Sequence, residues 1–312
     1  MNQMLSSLDG TPASRLAFGT MQFGGRADAA ASRAMFDACI EAGITHFDTA
    51  HVYTEGASET LLGQFVQDRR ESLIVATKAA YTGGAGRANI LASAETSRQR
   101  MQLDTLDVLY LHRFDPETPL TESFAALAEL KDLGHIRQLG LSNFAAWQVV
   151  KAAHIAADFG LEIAVIQPMY NLVKRQAEVE ILPMAHDLDI LVAPYSPLGG
   201  GLLTGKYATG GTGRLSEDDR YAARYGQEVM HGAAAGLAAL ARDLGTHPAT
   251  LAVAWAAAHP TRPTPIISAR SLAQLEPSLA ALNYQMTPQT YAAIAALSPT
   301  PPPATDRLEE QS

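Results

Sequence analysis

Four side chains able to share one piece of chemistry fall in order along the first part of this 312-residue chain. Asp48 and Tyr53 lie in HFDTAHVY, Lys78 closes LIVATK, and His112 follows LDVLYL. Together they suit reduction of a carbonyl. A hydride arriving at carbon leaves negative charge on oxygen, which calls for a proton donor and stabilising hydrogen bonds. A tyrosine with its unperturbed pKa of about 10 is a neutral acid at neutral pH. A lysine cation beside it lowers that value and eases proton release, and a carboxylate fixes the lysine in place. A histidine can orient the carbonyl or share the proton, and general acid catalysis of this kind contributes roughly 10²–10⁴-fold. Singly, each residue has a plainer role: a surface lysine, a helix cap, a packed ring, a hydrogen-bonded core histidine. Their joint placement is what carries weight.

That placement depends on the elements beneath it. Short runs rich in β-branched residues predict strands near Leu16–Gly19, Thr45–Asp48, Leu73–Thr77, Leu106–Leu111, Ile136–Leu141, Ile163–Gln167, Ile190–Ala193 and Pro265–Ile267. Several are nearly continuous hydrophobics, as a parallel strand covered on both faces requires. Helical patterns alternate with them at 29–42, 57–69, 90–101, 121–133, 146–159, 177–188, 233–244 and 272–282, with an extra helix at 248–258. Thr121 reads as a helix cap, and Gly43 and Gly134 as stops. Eight strand–helix repeats without a composition shift predict an α/β fold, a single-domain (β/α)8 TIM barrel over 1–298, followed by a mobile proline-rich tail at 299–312. The glycine-rich segment from Gly199 to about Gln227 reads as a functional loop.

In such barrels the strand C-termini carry the active site. Those ends read Thr20, Asp48, Lys78, His112, Ser142-Asn143, Gln167, Tyr195-Ser196 and Ser268, nearly all polar or ionisable. Residues far apart in sequence therefore converge on one pocket mouth.

Composition excludes other classes. The chain is 47% hydrophobic and 18% charged, with 23 basic against 32 acidic residues and a net charge of −9. Without clustered Lys and Arg, neither nucleic acid nor an anionic membrane is expected as the main partner. The longest run lacking a polar side chain, 232–241, is too short to cross a bilayer, and the opening MNQMLSSLDG does not read as a leader. The expectation is a soluble cytoplasmic protein acting on a small carbonyl or alcohol, with homo-oligomerisation left open. Cys39 alone cannot form an internal disulfide, and its place in the first helix assigns it to packing.

Asp48, Tyr53, Lys78 and His112, in order and approximate spacing, resemble the catalytic tetrad of the aldo-keto reductase superfamily. IRQLGLSNF, VIQPMYNLVKRQAE and PYSPLGGGLLTGKY are similar to its signatures, and the resemblance runs from about Leu16 to Leu282, nearest the bacterial and potassium-channel β-subunit-like branches. It implies Tyr53 as general acid, tuned by Lys78 and Asp48, with His112 positioning substrate. It implies a nicotinamide held by Ser142, Asn143 and Gln167 with Tyr195 stacked on its ring, and Gly19 and Thr20 nearby. The loop from Ser196 through Pro197, Leu198 and Gly200 to Lys206 would cover the pyrophosphate. Ser268, Arg270 and Gln274 stand in the segment expected at the adenosine end, with Arg270 forking onto a 2′-phosphate. NADPH is the implied cofactor. Pro277-Ser278 replace the usual Glu-Asn and Ser268 the usual Gly, which leaves NADH as the alternative. No GxGxxG follows the first strand, so the binding mode is not the Rossmann one.

Met21, Phe23, Tyr81, Arg113 and Phe114 are the candidates for the substrate pocket, apolar or aromatic except Arg113, which either binds an anionic group or pairs with Asp115. Three other readings compete. A Schiff-base aldolase would use Lys78. A metal-dependent hydrolase would need convergent His and carboxylate ligands, and LAFGT of the first strand supplies none, so no metal is expected. A regulatory subunit of the channel-β kind would bind a partner stably and turn over slowly.

Overall fold

The computed structural model describes residues 5–307 and residue 309. The reading of the segment 1–10 therefore rests in part on residues 1–4, and that of the tail on 308 and 310–312, which lie outside the described residues.

Eight parallel strands run in chain order around one sheet: β1 (Ala17–Gly19), β2 (His46–Asp48), β3 (Ile74–Ala79), β4 (Leu106–Leu111), β5 (Ile136–Ser142), β6 (Ile163–Gln167), β7 (Leu191–Val192) and β8 (Ile266–Ile267). β1 pairs with both β2 and β8. The last seam closes through the chain just after β7: the Thr264 N–H donates to the Val192 carbonyl at 2.7 Å and the Ile266 N–H to that of Pro194 at 2.9 Å. Tyr195 bridges Met169 on one side and Ile266 on the other. The fold is thus a (β/α)8 barrel.

Among the described residues, twelve α-helices accompany the strands: α1 (Ala29–Glu41), α2 (Ala57–Val66), α3 (Arg87–Met101), α4 (Leu120–Asp132), α5 (Ala146–Asp158), α6 (Ile181–Asp187), α7 (Arg214–Glu217), α8 (Asp219–Tyr225), α9 (Glu228–Asp243), α10 (Pro248–Ala257), α11 (Leu272–Leu279) and α12 (Pro288–Ala295). Gly43 and Gly134 end α1 and α4 as expected, at φ +81° and +72°. In each case the following N–H reaches back five residues, Ile44 to Cys39 and His135 to Leu130. Thr121 is not a cap: α4 starts one residue earlier, behind Pro119, and Thr121 lies inside it. The segment 199–227 is not open loop but a chain of short helices, including α7 and α8, and α12 lies beyond the expected series.

Alternation sorts the strand residues between two cores, except in β6, where neighbouring Ala164 and Val165 both join the inner one beside a register shift against β5. Ala17, Ile74, Ala76, Val108, Tyr110, Ala164, Val165, Ala193 and Ile266 fill the barrel with Leu5, whereas Phe18, Phe47, Val75, Leu109, Leu139 and Leu141 pack outward under the helices. The small alanines leave room for the Tyr110 ring, and Cys39 is fully buried in α1 against the outer core. α10 is buried from Ala249 through Ala257. Its Trp255 stacks between Tyr170 and Tyr291, at 5.4 and 5.7 Å between ring centroids, so truncation to Ala would cost about 3–5 kcal/mol. Near the strand N-termini, the fully buried Asp107 pairs with Arg70 at 2.7 Å and Arg137 at 2.8 Å, and Arg137 also donates to the Ser6 carbonyl, anchoring the N-terminal bridge Ser6–Pro12.

Candidate active site

The polar ends of β2, β3 and β6 meet inside the barrel mouth. Lys78 does not follow its strand, as expected from LIVATK, but lies within it, because β3 runs on to Ala79. Pleating turns its side chain inward, where the ammonium donates to Asp48 Oδ1 and, at 2.6 Å, to the Thr49 carbonyl. The other Asp48 oxygen accepts from Gln167 Nε2 at 2.9 Å, across the barrel. Asp48 and Lys78 are 2% and 1% exposed, so the pair sits in a poor dielectric where an unmatched charge would be costly. The ammonium lies 5.0 Å from the centre of the Tyr53 ring, and that ring meets His112 edge to face at 5.9 Å. With Gln167 the four residues form one contact chain of five: Gln167–Asp48–Lys78–Tyr53–His112.

Protonation follows from burial. Burial works against the Lys78 cation, but the Asp48 charge, Tyr53 and their hydrogen bonds outweigh it, and its pKa stands above the ordinary lysine value. Burial raises the Tyr53 phenol; the Lys78 charge pulls down, as expected, without overcoming it. Tyr53 is therefore held as a neutral proton carrier rather than an ionised one. His112 is pushed down to about 3 by burial, then by Lys78 and Arg113, so its imidazole is neutral. Its Nδ1 is buried with no hydrogen-bond partner among the described residues.

The nicotinamide-side residues form a second linked set. Asn143, in the left-handed region at φ +58°, donates to the His112 carbonyl at 2.9 Å and to Ser142 Oγ at 3.1 Å. Ser142 donates to the Gln167 carbonyl at 3.0 Å, and the Tyr195 hydroxyl to Asn143 Oδ1 at 2.8 Å. The half-buried Tyr195 ring stands over this floor. Gly19 and Thr20 do not join it. Gly19 is buried against Ile266, and the fully buried Thr20 hydroxyl is engaged by Ser58 and the Asp48 carbonyl. They join the end of β1 to that of β2.

Ser196, Pro197, Leu198 and Gly200 begin the segment that carries α7 and α8 across the mouth. Ser196 at φ +60° turns the chain, its carbonyl accepting from Asn171 at 2.9 Å. Glu217 on α7 pairs with Arg26 after β1 at 2.6 Å and with Arg270 after β8 at 3.4 Å, strapping three loops together. Gln274 caps the Arg270 N–H at 3.3 Å. Lys206, depressed by burial and by the neighbouring charge of Arg270, shares this basin with Arg214. These residues fit a phosphorylated dinucleotide: Arg26, Lys206, Arg214 and Arg270 gather about one carboxylate in a chain of net charge −9, and Ser268 Oγ is buried without a partner among the described residues. Sequence reasoning missed α8, whose Tyr221 lies between the guanidiniums of Arg214 and Arg224, at 5.2 and 5.4 Å from the ring centre.

On the substrate side, Tyr81 packs on His112 at 4.8 Å and carries the Arg113 guanidinium 5.1 Å from its ring centre. Arg113 does not pair with Asp115, whose oxygens accept from Ala85, Glu117 and Thr118. Phe114 meets Trp147, an exposed aromatic at the start of α5 that the sequence reading overlooked, at 6.1 Å. Met21 is half-buried beside the mouth. Phe23 is a correction: it is fully buried between Phe18 and Phe65, under the helices, and lines no pocket.

Among the described residues, no three His, Cys, Asp or Glu side chains gather with metal-ligand spacing, and no helix is long and apolar enough to cross a membrane. The aldo/keto reductase family model matches residues 15–299. The chain is 31% identical to a probable voltage-gated potassium channel subunit beta of Oryza sativa subsp. japonica, over 95% of this chain and 96% of that one. It is 31% identical to the uncharacterized oxidoreductase YrpG of Bacillus subtilis (strain 168), covering 89% and 90%. Against aflatoxin B1 aldehyde reductase member 2 of Rattus norvegicus it is 38% identical over 61% of this chain and 53% of that protein. The chain therefore belongs to the aldo/keto reductase family, nicotinamide-dependent oxidoreductases that act on carbonyl groups.

Proposed function

We propose that this protein is an NADPH-dependent reductase of aldehydes or ketones, working in either direction, with Tyr53 as general acid and base. The observation that carries the reading is the buried Asp48–Lys78 pair set under the Tyr53 ring beside a neutral His112. A bound reduced nicotinamide supplies the hydride that adds to the carbonyl carbon. The chain's own residues manage the proton and the charge. Neutral His112 lines up the carbonyl oxygen, and the Tyr53 hydroxyl gives that oxygen its proton. The tyrosinate left behind stands next to the Lys78 cation, which Asp48 and the Thr49 carbonyl keep protonated and fixed. Ser142, Asn143 and Gln167 would hold the carboxamide end, Tyr195 the ring face, and Lys206 and Arg270 the phosphates.

The same electrostatics disfavour the aldolase reading. A Schiff-base lysine must be an unprotonated amine, which calls for a depressed pKa. Lys78 is raised and buried in a pair. The regulatory reading has the rice relative's name behind it, and turnover separates the two. The test is oxidation of NADPH and NADH in parallel with a reactive aromatic aldehyde, wild type against Tyr53→Phe. A loss of roughly 10²–10⁴-fold in kcat with nucleotide binding retained supports the reductase. Nucleotide binding with no turnover across a broad carbonyl panel supports the regulatory subunit, and a fully active Tyr53→Phe refutes the role given to Tyr53.

A further inference from the structure

The turn that presents Tyr53 has an unusual backbone. Thr54, Glu55 and Gly56 occupy the left-handed region in succession, at φ +46°, +55° and +95°. A β-branched threonine there is an outlier, and two such non-glycine residues persist only where the surroundings hold them. One tie is Thr54 itself, whose hydroxyl donates to the Phe23 carbonyl at 2.8 Å. The other comes from α3. One Arg100 nitrogen donates to the His51 carbonyl and to Glu59 Oε2, both at 2.9 Å. The guanidinium lies flat on Gly56, its Cζ 2.5 Å from where a Cβ would stand. Arg100 thus grips the chain on both sides of Tyr53. Glu59, on α2, is fully buried and takes the Thr77 hydroxyl at 2.6 Å on its second oxygen. Thr77 is the neighbour of Lys78 in β3. One carboxylate thereby ties the turn that carries the phenol to the strand that carries the ammonium.

We infer that Arg100 and Glu59 are positioning residues that set the Tyr53 hydroxyl against Lys78 and His112, an inference that rests on Tyr53 being the general acid. Neither touches the reacting atoms. Both partners of the pair are matched in charge, and the Arg100 side chain is 28% exposed, so its removal leaves water access to one end of the gap. The protein folds around a Tyr53 turn that is held from three directions, and loss of the clamp lets the turn relax toward ordinary backbone angles.

The experiment uses the full chain with NADPH and an aromatic aldehyde, comparing Arg100→Met, Arg100→Lys and Glu59→Gln from about pH 6 to about pH 10, a span bracketing the tyrosine range. Arg100→Met is expected to lower kcat roughly 10- to 100-fold, the usual cost of a lost outer support or a misplacement near 1 Å. KM for the aldehyde and the nucleotide dissociation constant should move by no more than about twofold, because Arg100 faces neither ligand. The alkaline limb of kcat should shift upward as the phenol loses contact with Lys78. Arg100→Lys should recover part of the rate, since an ammonium can pair with Glu59 but cannot lie flat on Gly56. If Arg100→Met does not fold, Glu59→Gln keeps the shape and the Thr77 bond and must show the same selective loss in kcat. Wild-type kcat and an unmoved pH limb, with only a lower melting temperature, would show the pair to be structural and overturn the inference. An inactive Tyr53→Phe beside a fully active Arg100→Met sinks the clamp alone; an active Tyr53→Phe sinks the catalytic reading and the clamp with it.

Discussion

Asp48→Asn is the sharpest single test of the charge arrangement. The substitution is nearly isosteric and keeps an acceptor for Lys78, and the Gln167 amide can turn over to accept from the new Asn amide, so its main effect is electrostatic. It leaves the Lys78 ammonium, fully buried at the side-chain level, with only an amide oxygen and the Thr49 carbonyl in place of a carboxylate. Breaking a buried pair in this way costs about 3–5 kcal/mol. With an unfolding entropy of about 2.1 cal/mol/K per residue, a chain of this length loses roughly 5–8 °C in Tm for that amount. The pH dependence separates charge from packing. In the wild type, the raised Lys78 pKa adds stability below the unfolded lysine value that is lost only as pH climbs through the higher folded one. In Asp48→Asn the Asp48 attraction is gone, burial dominates, and the folded pKa falls below the unfolded value. The variant then recovers stability as pH rises and Lys78 sheds its proton, so the gap to wild type narrows between about pH 8 and about pH 10.5. Thermal melts of both proteins across that range decide it. A Tm drop below about 1 °C, or a gap that does not change with pH, refutes the claim that Lys78 is a buried cation held by Asp48.

Arg270→Gln should raise the dissociation constant for NADPH by about tenfold and leave that for NADH nearly unchanged, since one charge-assisted contact to a 2′-phosphate is lost; nucleotide fluorescence titration reads it. Glu217→Gln frees Arg26 and Arg270 from the strap and should speed nucleotide release about two- to fivefold in stopped-flow chase, the small size reflecting pairs that are exposed. Arg113→Gln should erase any preference for a carboxylated over a neutral benzaldehyde, read as the ratio of kcat/KM, because Arg113 stands over Tyr81 unpaired with Asp115; an unchanged ratio above one removes Arg113 from substrate binding. His46 is buried with both ring nitrogens unpartnered among the described residues and is pushed down to about 4 by burial. Unfolded histidine takes up a proton below about pH 6.5 and the folded one does not until lower, so stability should fall as pH drops from 6.5 toward 4. His46→Leu should flatten that slope in melts.

Why the sequence revealed the floor of the site and not its roof has a physical reason. Asp48, Lys78, His112, Ser142 and Gln167 sit at or near the ends of hydrophobic runs that a parallel strand demands, and the barrel's geometry converts a strand end into a place at the mouth. Strand length mattered little: β7 is two residues long, yet Tyr195 still falls at the seam, because closure needs an extended residue there. The roof obeys no such rule. α7 and α8 are four and seven residues long and come after a run of glycines, and α7 is tied down by the Glu217 bond to Arg26, 191 residues away in sequence. No local pattern encodes that partner. Phe23 failed for a related reason. Position after a strand end does not say which way a ring turns, and the pocket formed by Phe18 and Phe65 is made by elements on either side of it. Arg113 shows the limit most sharply. Its sequence neighbour Asp115 looked like a partner, but the Ala85 N–H and Thr118 hydroxyl had the better geometry, and the guanidinium turned to Tyr81 instead. Where an element's own residues decide its shape, the sequence is enough; where competing partners from distant loops decide a side chain's direction, only their packed positions choose between them.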